Sequence, residues 1–150
     1  MDINVTIHSS VRGKLGRLSK KAVVQLAHKI LKSMKCANNV ELSILVTNDK
    51  EIRYLNKKYR RKNKATDVLS FSPAEADGFV CLEHVLGDIV ISAETAKKQA
   101  KKFKVSFVEE FSRLLVHGIL HLLGYDHENV SERKAEEMQN LEDKLLKRLS

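Results

Sequence analysis

TDVLSFSPAEADGFVCLEHVLGDIVIS, residues 66–92, holds two strand-like runs with a loop between them. TDVLSFS (Thr66 to Ser72) and LGDIVIS (Leu86 to Ser92) are short, apolar and rich in β-branched residues, which is how strands read. FSPAEADGF, between them, contains the only proline, Pro73, and reads as a loop. Two strands in succession interrupt an alternation that holds everywhere upstream. INVTIH (Ile3 to His8) alternates as a strand and VRGKLGR follows as a glycine-bearing loop. From Ser19, placed as an N-cap, apolar residues recur at Val23, Leu26, Ala27, Ile30, Leu31 and Met34, a helical stripe. VELSILVT (Val40 to Thr47) is the next strand. Asn48 or Asp49 then caps a helix with Ile52, Leu55 and Tyr59 on one face. Downstream, three helices follow: AETAKKQAKKF, Phe107 to about Leu123 with Gly124 as its left-handed C-cap, and a last one from near Ser131. The last buries Ala135, Met138, Leu141, Leu145 and Leu149. The order β-α-β-α-β-β-α-α-α predicts an α+β fold, with α/β as the neighbouring class. The expectation is one domain over residues 1–150, a small mixed, mostly parallel four-stranded sheet packed against about five helices.

Charge narrows the partners. Lys and Arg number 27 and Asp and Glu 19, a formal net charge of +8. Such an excess points to a polyanion, nucleic acid first and an anionic membrane surface second. No apolar run approaches the roughly 20 residues of a membrane span, and the N-terminal MDINVTIHSS lacks the apolar core of a signal peptide. Two cysteines, Cys36 and Cys81, make no disulfide framework and suit packing roles in a reducing, cytoplasmic setting.

HGILHLLGYDH, His117 to His127, carries three of the six histidines. His117 and His121, one helical turn apart, present two imidazoles to one point. Gly124 ends the helix and lets His127 return as a third ligand. Three imidazoles with an open fourth position make a hydrolytic zinc site, in which bound water becomes acidic near neutral pH. The spacing equals the H-E-x-x-H-x-x-G-x-x-H signature of metzincin proteases, except that their glutamate, the general base, is Gly118 here. Asp126 has three readings: a substitute base, a carboxylate orienting an imidazole, or a residue of the turn.

LNKKYRRKNKATDVLSFS, Leu55 to Ser72, is the second informative stretch. Six of the eight residues Lys57 to Lys64 are basic, more than the C-terminus of a helix needs. Arginine offers phosphate a planar fork. Tyr59 reads as core at helical spacing, or as a base-stacking ring among the cations. Lys97, Lys98, Lys101, Lys102 and Lys104 share about half of one helix's circumference, with Ala96, Ala100 and Phe103 opposite. They form either the wet face of an amphipathic helix or an extension of a phosphate-tracking surface.

With these segments read, the chain resembles the YbeY family of bacterial rRNA maturation endoribonucleases. The resemblance rests on LNKKYRRKNKATDVLSFS, LGDIVIS and HGILHLLGYDH, and covers nearly the whole chain. It implies zinc on His117, His121 and His127, and a functional arginine at Arg60. It also implies cleavage of single-stranded RNA in 16S rRNA processing and ribosome quality control, with ribosomal or small-subunit proteins as further partners. Family members often carry proline where Ala65 and Ser72 stand here.

Three functions compete. In a metal-dependent endoribonuclease, Arg60 holds the scissile phosphate, and the nucleophile is either metal-bound hydroxide or the RNA 2′-OH. A metalloprotease-like hydrolase is favoured by spacing and opposed by Gly118. A ribosome-associated RNA-binding factor would hold a structural zinc, for which Cys81 and His84 are the remaining candidate fourth ligands. A triad of imidazoles also accepts nickel or copper.

Overall fold

A computed structural model of the chain describes residues 1–73, 84–125 and 130–149. Alternation in the strand-like runs is realised as one sheet. Its strands are β1 (Asp2–Ile7), β2 (Glu41–Thr47), β3 (Val68–Phe71) and β4 (Val85–Ser92), in the order β1-β2-β4-β3. β1 runs parallel to β2 and β2 to β4, while β3 pairs antiparallel with β4. The sheet is therefore mixed and mostly parallel, and the two successive strands supply its one antiparallel pair. Five α-helices are described: α1 (Lys20–Ser33), α2 (Asp49–Arg60), α3 (Ala93–Phe103), α4 (Phe107–Leu122) and α5 (Glu132–Leu149).

Side-chain alternation gives the sheet two unequal faces. Val5, Leu42, Ile44, Val46, Ile89 and Ile91 point into the main core against α1, α3, α4 and α5. The opposite face is covered only in part, where Ile52 of α2 packs on Leu69, Phe71 and Val90. α4 is the central helix: Phe111, Leu114, Leu115, Val116, Ile119 and Leu120 are all buried. Short polar residues start the helices, at Ser19, Asn48 and Ser131 as the sequence suggests and at Ser92 and Ser106 as well. Ser19, Asn48, Ser92 and Ser106 accept from the backbone N–H groups of Ala22, Glu51, Thr95 and Glu109. Ser131 accepts from the N–H of Lys134. Among the described residues no helix is long and apolar enough to cross a membrane.

Local readings differ in a few places. β3 is shorter than the Thr66–Ser72 run, because Asp67 turns its carboxylate back onto the N–H of Val68 at 2.8 Å. Tyr59 is not core but 43% exposed, and the buried polar member of α2 is Asn56, which donates to the carbonyl of Lys64 at 3.0 Å. Phe103 is 51% exposed, not opposite the lysines in the core. It is the last residue of α3, directly before the left-handed Lys104, and no further helical turn encloses it. On α5, Leu141 and Leu149 are only partly buried, and the row between Met138 and Leu145 is completed by Glu142. In β4, Gly87 sits at a register shift with φ +140°, and an added Cβ would lie 2.3 Å from the carbonyl oxygen of Phe71. Only glycine fits such a bulge.

Candidate metal centre

The C-terminal half of α4 places the histidines. Its apolar residues face the core on most sides, so the row Arg113, His117, His121, spaced four apart, is left for one open cleft. The two imidazoles stand edge to face, with ring centroids 4.5 Å apart and Nε2 atoms 2.9 Å apart. Behind them, Oε1 of Glu142 on α5 lies 2.7 Å from Nδ1 of His117. That carboxylate, with only 6% of its side chain exposed, accepts from Nδ1–H. The arrangement selects the tautomer whose Nε2 keeps its lone pair toward the cleft, the state a metal-ligating imidazole requires.

The helix ends as the glycine suggests. Gly124 has φ +97°, its N–H donates to the carbonyl of His121, and Tyr125 N–H donates to that of Leu120, each at 3.0 Å. This paired closure turns the chain sharply after the second histidine. His127 and Asp126 lie outside the described residues. Among the described residues no group of three or more His, Cys, Asp or Glu side chains is arranged to hold an ion. The convergent, Glu142-backed pair nevertheless has the donor chemistry of two thirds of a tris-imidazole zinc site.

Gly118 explains itself. A Cβ there would meet Ile89 Cγ2 at 3.1 Å, Ile89 Cδ1 at 3.2 Å and Ser70 Oγ at 3.3 Å. The position faces the sheet, and helix–sheet packing is close enough there that even a Cβ makes its neighbours give way.

Ser70 of β3 joins the two walls of the cleft. Its hydroxyl donates to the carbonyl of Gly118 at 3.1 Å, and its own carbonyl accepts from Nη2 of Arg60 at 2.5 Å. The Arg60 guanidinium also lies 4.9 Å from the centroid of the Phe71 ring, so it is held in plane by a bond and a face. Arg60 is the last residue of α2, and left-handed Arg61 turns the chain back so that Lys62 and Lys64 reach the same cleft. The space enclosed is about 860 Å³. Arg113 closes its far side, bound through Nε and Nη2 to both oxygens of buried Glu110 at 2.9 and 2.7 Å. The hydrogen bonds it donates to Glu110 raise the guanidinium pKa above its usual value against the opposing effect of burial, aided by the charges of Glu110, Asp67 and Glu142.

Thus Arg60, His117 and His121, distant in sequence, meet in one cleft. The lysines of α3 do not line it, and Lys98 pairs instead with Asp49 at 3.3 Å. His84 also lies elsewhere, 3.6 Å from Glu41. Cys36 is a partly buried packing residue whose thiol pKa is pushed up by burial, and Cys81 lies outside the described residues. Glu142, Arg113 and Ser70 are site residues that the sequence does not single out. Glu142 leaves one signal, a carboxylate on the apolar stripe of α5 between Met138 and Leu145.

The α+β domain thus aims a carboxylate-backed histidine pair into a cation-rimmed cleft. The sequence profile described as Endoribonuclease YbeY matches residues 9–150. The chain belongs to the endoribonuclease YbeY family. It is 44% identical over 146 residues to an endoribonuclease YbeY of Sulfurihydrogenibium, covering 97% of this chain and 92% of the relative. It is also 44% identical over 149 residues to that of Petrotoga mobilis (99% and 96% covered), and 52% identical over 113 residues to that of Aquifex aeolicus (75% and 73%). Among solved structures, a Thermotoga maritima protein studied in solution superposes with a TM-score of 0.64 at 26% identity, covering 97% of this chain and 87% of that one.

Proposed function

We propose that this protein is a single-strand-specific, metal-dependent endoribonuclease acting in cytoplasmic 16S rRNA 3′-end maturation and ribosome quality control. The observation that carries the reading is the meeting of Arg60 with the Glu142-backed pair His117 and His121 in one cleft. Zinc is the proposed ion, with His127 as its third protein ligand. When bound, it supplies Lewis acidity toward a phosphodiester and its attacking oxygen.

The chain's own residues do the rest. Arg60 gives one N–H to the carbonyl of Ser70. The planar fork of its five donors matches the non-bridging oxygens of a phosphate. Because Ser70 and Phe71 hold the guanidinium beforehand, its contact strengthens as charge develops without reorganisation. Lys62 and Lys64 draw the backbone in. Glu142 keeps the proton of His117 on Nδ1. Asp126 is proposed as the carboxylate that accepts a proton during attack. A peptidase reading is opposed by Gly118, which stands where the protease's general base would be and packs closely against Ile89 and Ser70.

The test is cleavage of a labelled single-stranded RNA by metal-stripped and zinc-reloaded protein, with His117→Ala and Arg60→Ala in parallel. Cleavage should disappear on stripping, return on reloading and fail in both variants. Undiminished cleavage by stripped protein would remove the metal from the mechanism. Tight RNA binding without cleavage would favour the binding-factor reading.

A further inference from the structure

The half-open face of the sheet carries a second concavity of about 370 Å³ outside the cleft. Its floor is formed by outward residues of three strands: Asn4 and Thr6 of β1, Ser43 of β2 and Asp88 of β4. Its wall is Tyr59 of α2, with the buried Phe71 beside it. We infer that this groove is a nucleobase subsite, which receives one unpaired base of the RNA whose phosphate lies on Arg60. The inference rests on the endoribonuclease reading.

Continuity with the cleft is the first argument. Phe71 is shared: the Arg60 guanidinium lies over its ring at 4.9 Å, and Tyr59 meets it edge-on at 5.2 Å between centroids. The order cleft, Arg60, Phe71, Tyr59, groove thus places an aromatic wall next to a phosphate-binding fork. Adjacent stacking and phosphate sites are what a single strand needs. Charge is the second. Lys58 Nζ stands 5.3 Å from the Tyr59 ring centroid, so a backbone passing the groove meets a cation. The floor carries an acceptor. The exposed carboxylate of Asp88 has several lone pairs, which suit the amino group of a base. The polar floor is the third. Asn4, Thr6 and Ser43 offer amide and hydroxyl groups beside the apolar Leu45 and Val90, a mixture that suits a flat ring with polar edges. Exposure of Tyr59 also fits: a ring 43% exposed among cations does little for the core.

The chemistry dictates a preference. An acceptor-only carboxylate favours a base with an exocyclic amino donor, cytosine or adenine, over uracil. Two experiments separate this subsite from the reading beneath it. In the first, short RNAs with a single 5-iodocytosine, which keeps the exocyclic amino group, at successive positions are irradiated with zinc-loaded protein and the linked peptides mapped. Links on Ser43, Tyr59 or Asp88 from one register support the groove. Links confined to the cleft residues overturn it, whether or not the RNA is cut. In the second, binding of RNAs differing only by cytosine or uracil at that register is compared. Wild type should favour cytosine severalfold, Asp88→Asn should lose the preference, and Tyr59→Ala should weaken both by about tenfold. Equal affinity for the two RNAs in wild type would overturn the amino preference, and an unchanged affinity in Tyr59→Ala would overturn the stacking wall. Failure of wild type to cut any RNA would instead sink the endoribonuclease reading, while the linking map still decides the groove.

Discussion

Replacing Glu142 by Gln should change the metal-binding state of His117 without unfolding the protein. Gln keeps the size of the side chain and an oxygen for Nδ1–H, and it removes only the charge. A hydrogen bond to a charged acceptor contributes about 1.5–3 kcal/mol and one to a neutral acceptor about 0.5–1.5 kcal/mol. The 2.7 Å contact lies on a carboxylate that is almost wholly buried, so little of the difference is screened by water. The exchange should therefore weaken the preference for the Nδ1–H tautomer by about 1 kcal/mol or slightly more, roughly five- to tenfold. Zinc affinity should fall by about the same factor, at the low end of the 10- to 100-fold typical when such outer partners are removed. Glu142→Leu, which fits the Met138–Leu145 stripe but offers no acceptor, should move toward the high end. Two measurements check this: imidazole ¹⁵N shifts in the metal-free protein for the tautomer, and chelator competition for zinc. If the glutamine variant binds zinc within twofold of wild type with Nδ1–H still dominant, Glu142 is only a core residue.

Other expectations use the same geometry. Arg60→Ala should lower kcat by about 10²–10³ with zinc content unchanged, and Arg60→Lys should recover little of it, as single-turnover cleavage will show. Neutralising Lys62 and Lys64 should flatten the slope of log K against log salt by roughly 0.7 for each phosphate no longer neutralised, whereas the same change at Lys101 and Lys102 on α3 should leave it nearly as it was. Gly118→Ala must displace Ile89 or Ser70 and should cost about 1–3 kcal/mol. That is seen as a Tm lowered by about 2–4 °C per kcal/mol in a chain of this size. At Asp49, burial acts to raise the carboxyl pKa, but hydrogen bonds from Ser92, Thr95 and Lys98, with the charge of Lys98, hold it below the ordinary value. Its contribution to stability is therefore present above the ordinary aspartate pKa of about 3.9 and is lost as pH falls through the lowered folded value. Urea titrations of wild type and Asp49→Asn should differ at neutral pH and converge at strongly acid pH.

Much of the fold is legible from periodicity. Strands with strict alternation and helices with capped apolar stripes fall close to where the pattern puts them, because burial of one face determines both pattern and fold. His117 and His121 are legible because imidazoles one turn apart are costly to explain by packing, whereas the basic cluster shows a charged stretch and only the family resemblance picks Arg60 from it. What the sequence hides depends on tertiary contact. Glu142 interrupts an apolar stripe for a reason 25 residues away. Arg113 looks like a wet helix residue until Glu110 beneath it is seen to be buried. Ser70 has an ordinary strand position, and both its partners come from other elements. Tyr59 and Phe103 read as core but are exposed for a related reason: a helical stripe predicts a face, while the extent of the neighbour covering that face is set elsewhere in the chain.

Ser70 also acts as a gauge for the opening. One residue holds the arginine wall through its carbonyl and the histidine wall through its hydroxyl. When β3 shifts, both walls move with it, and the gap between them keeps its width. The two contacts are in series, so the walls stay together only while both are made. An incoming polymer therefore meets two walls that are tied to each other through one residue. Under the proposed function, a strand with its bases unpaired is expected to thread such a slot edgewise, and a duplex, thickened by its second strand, to be turned away at the rim.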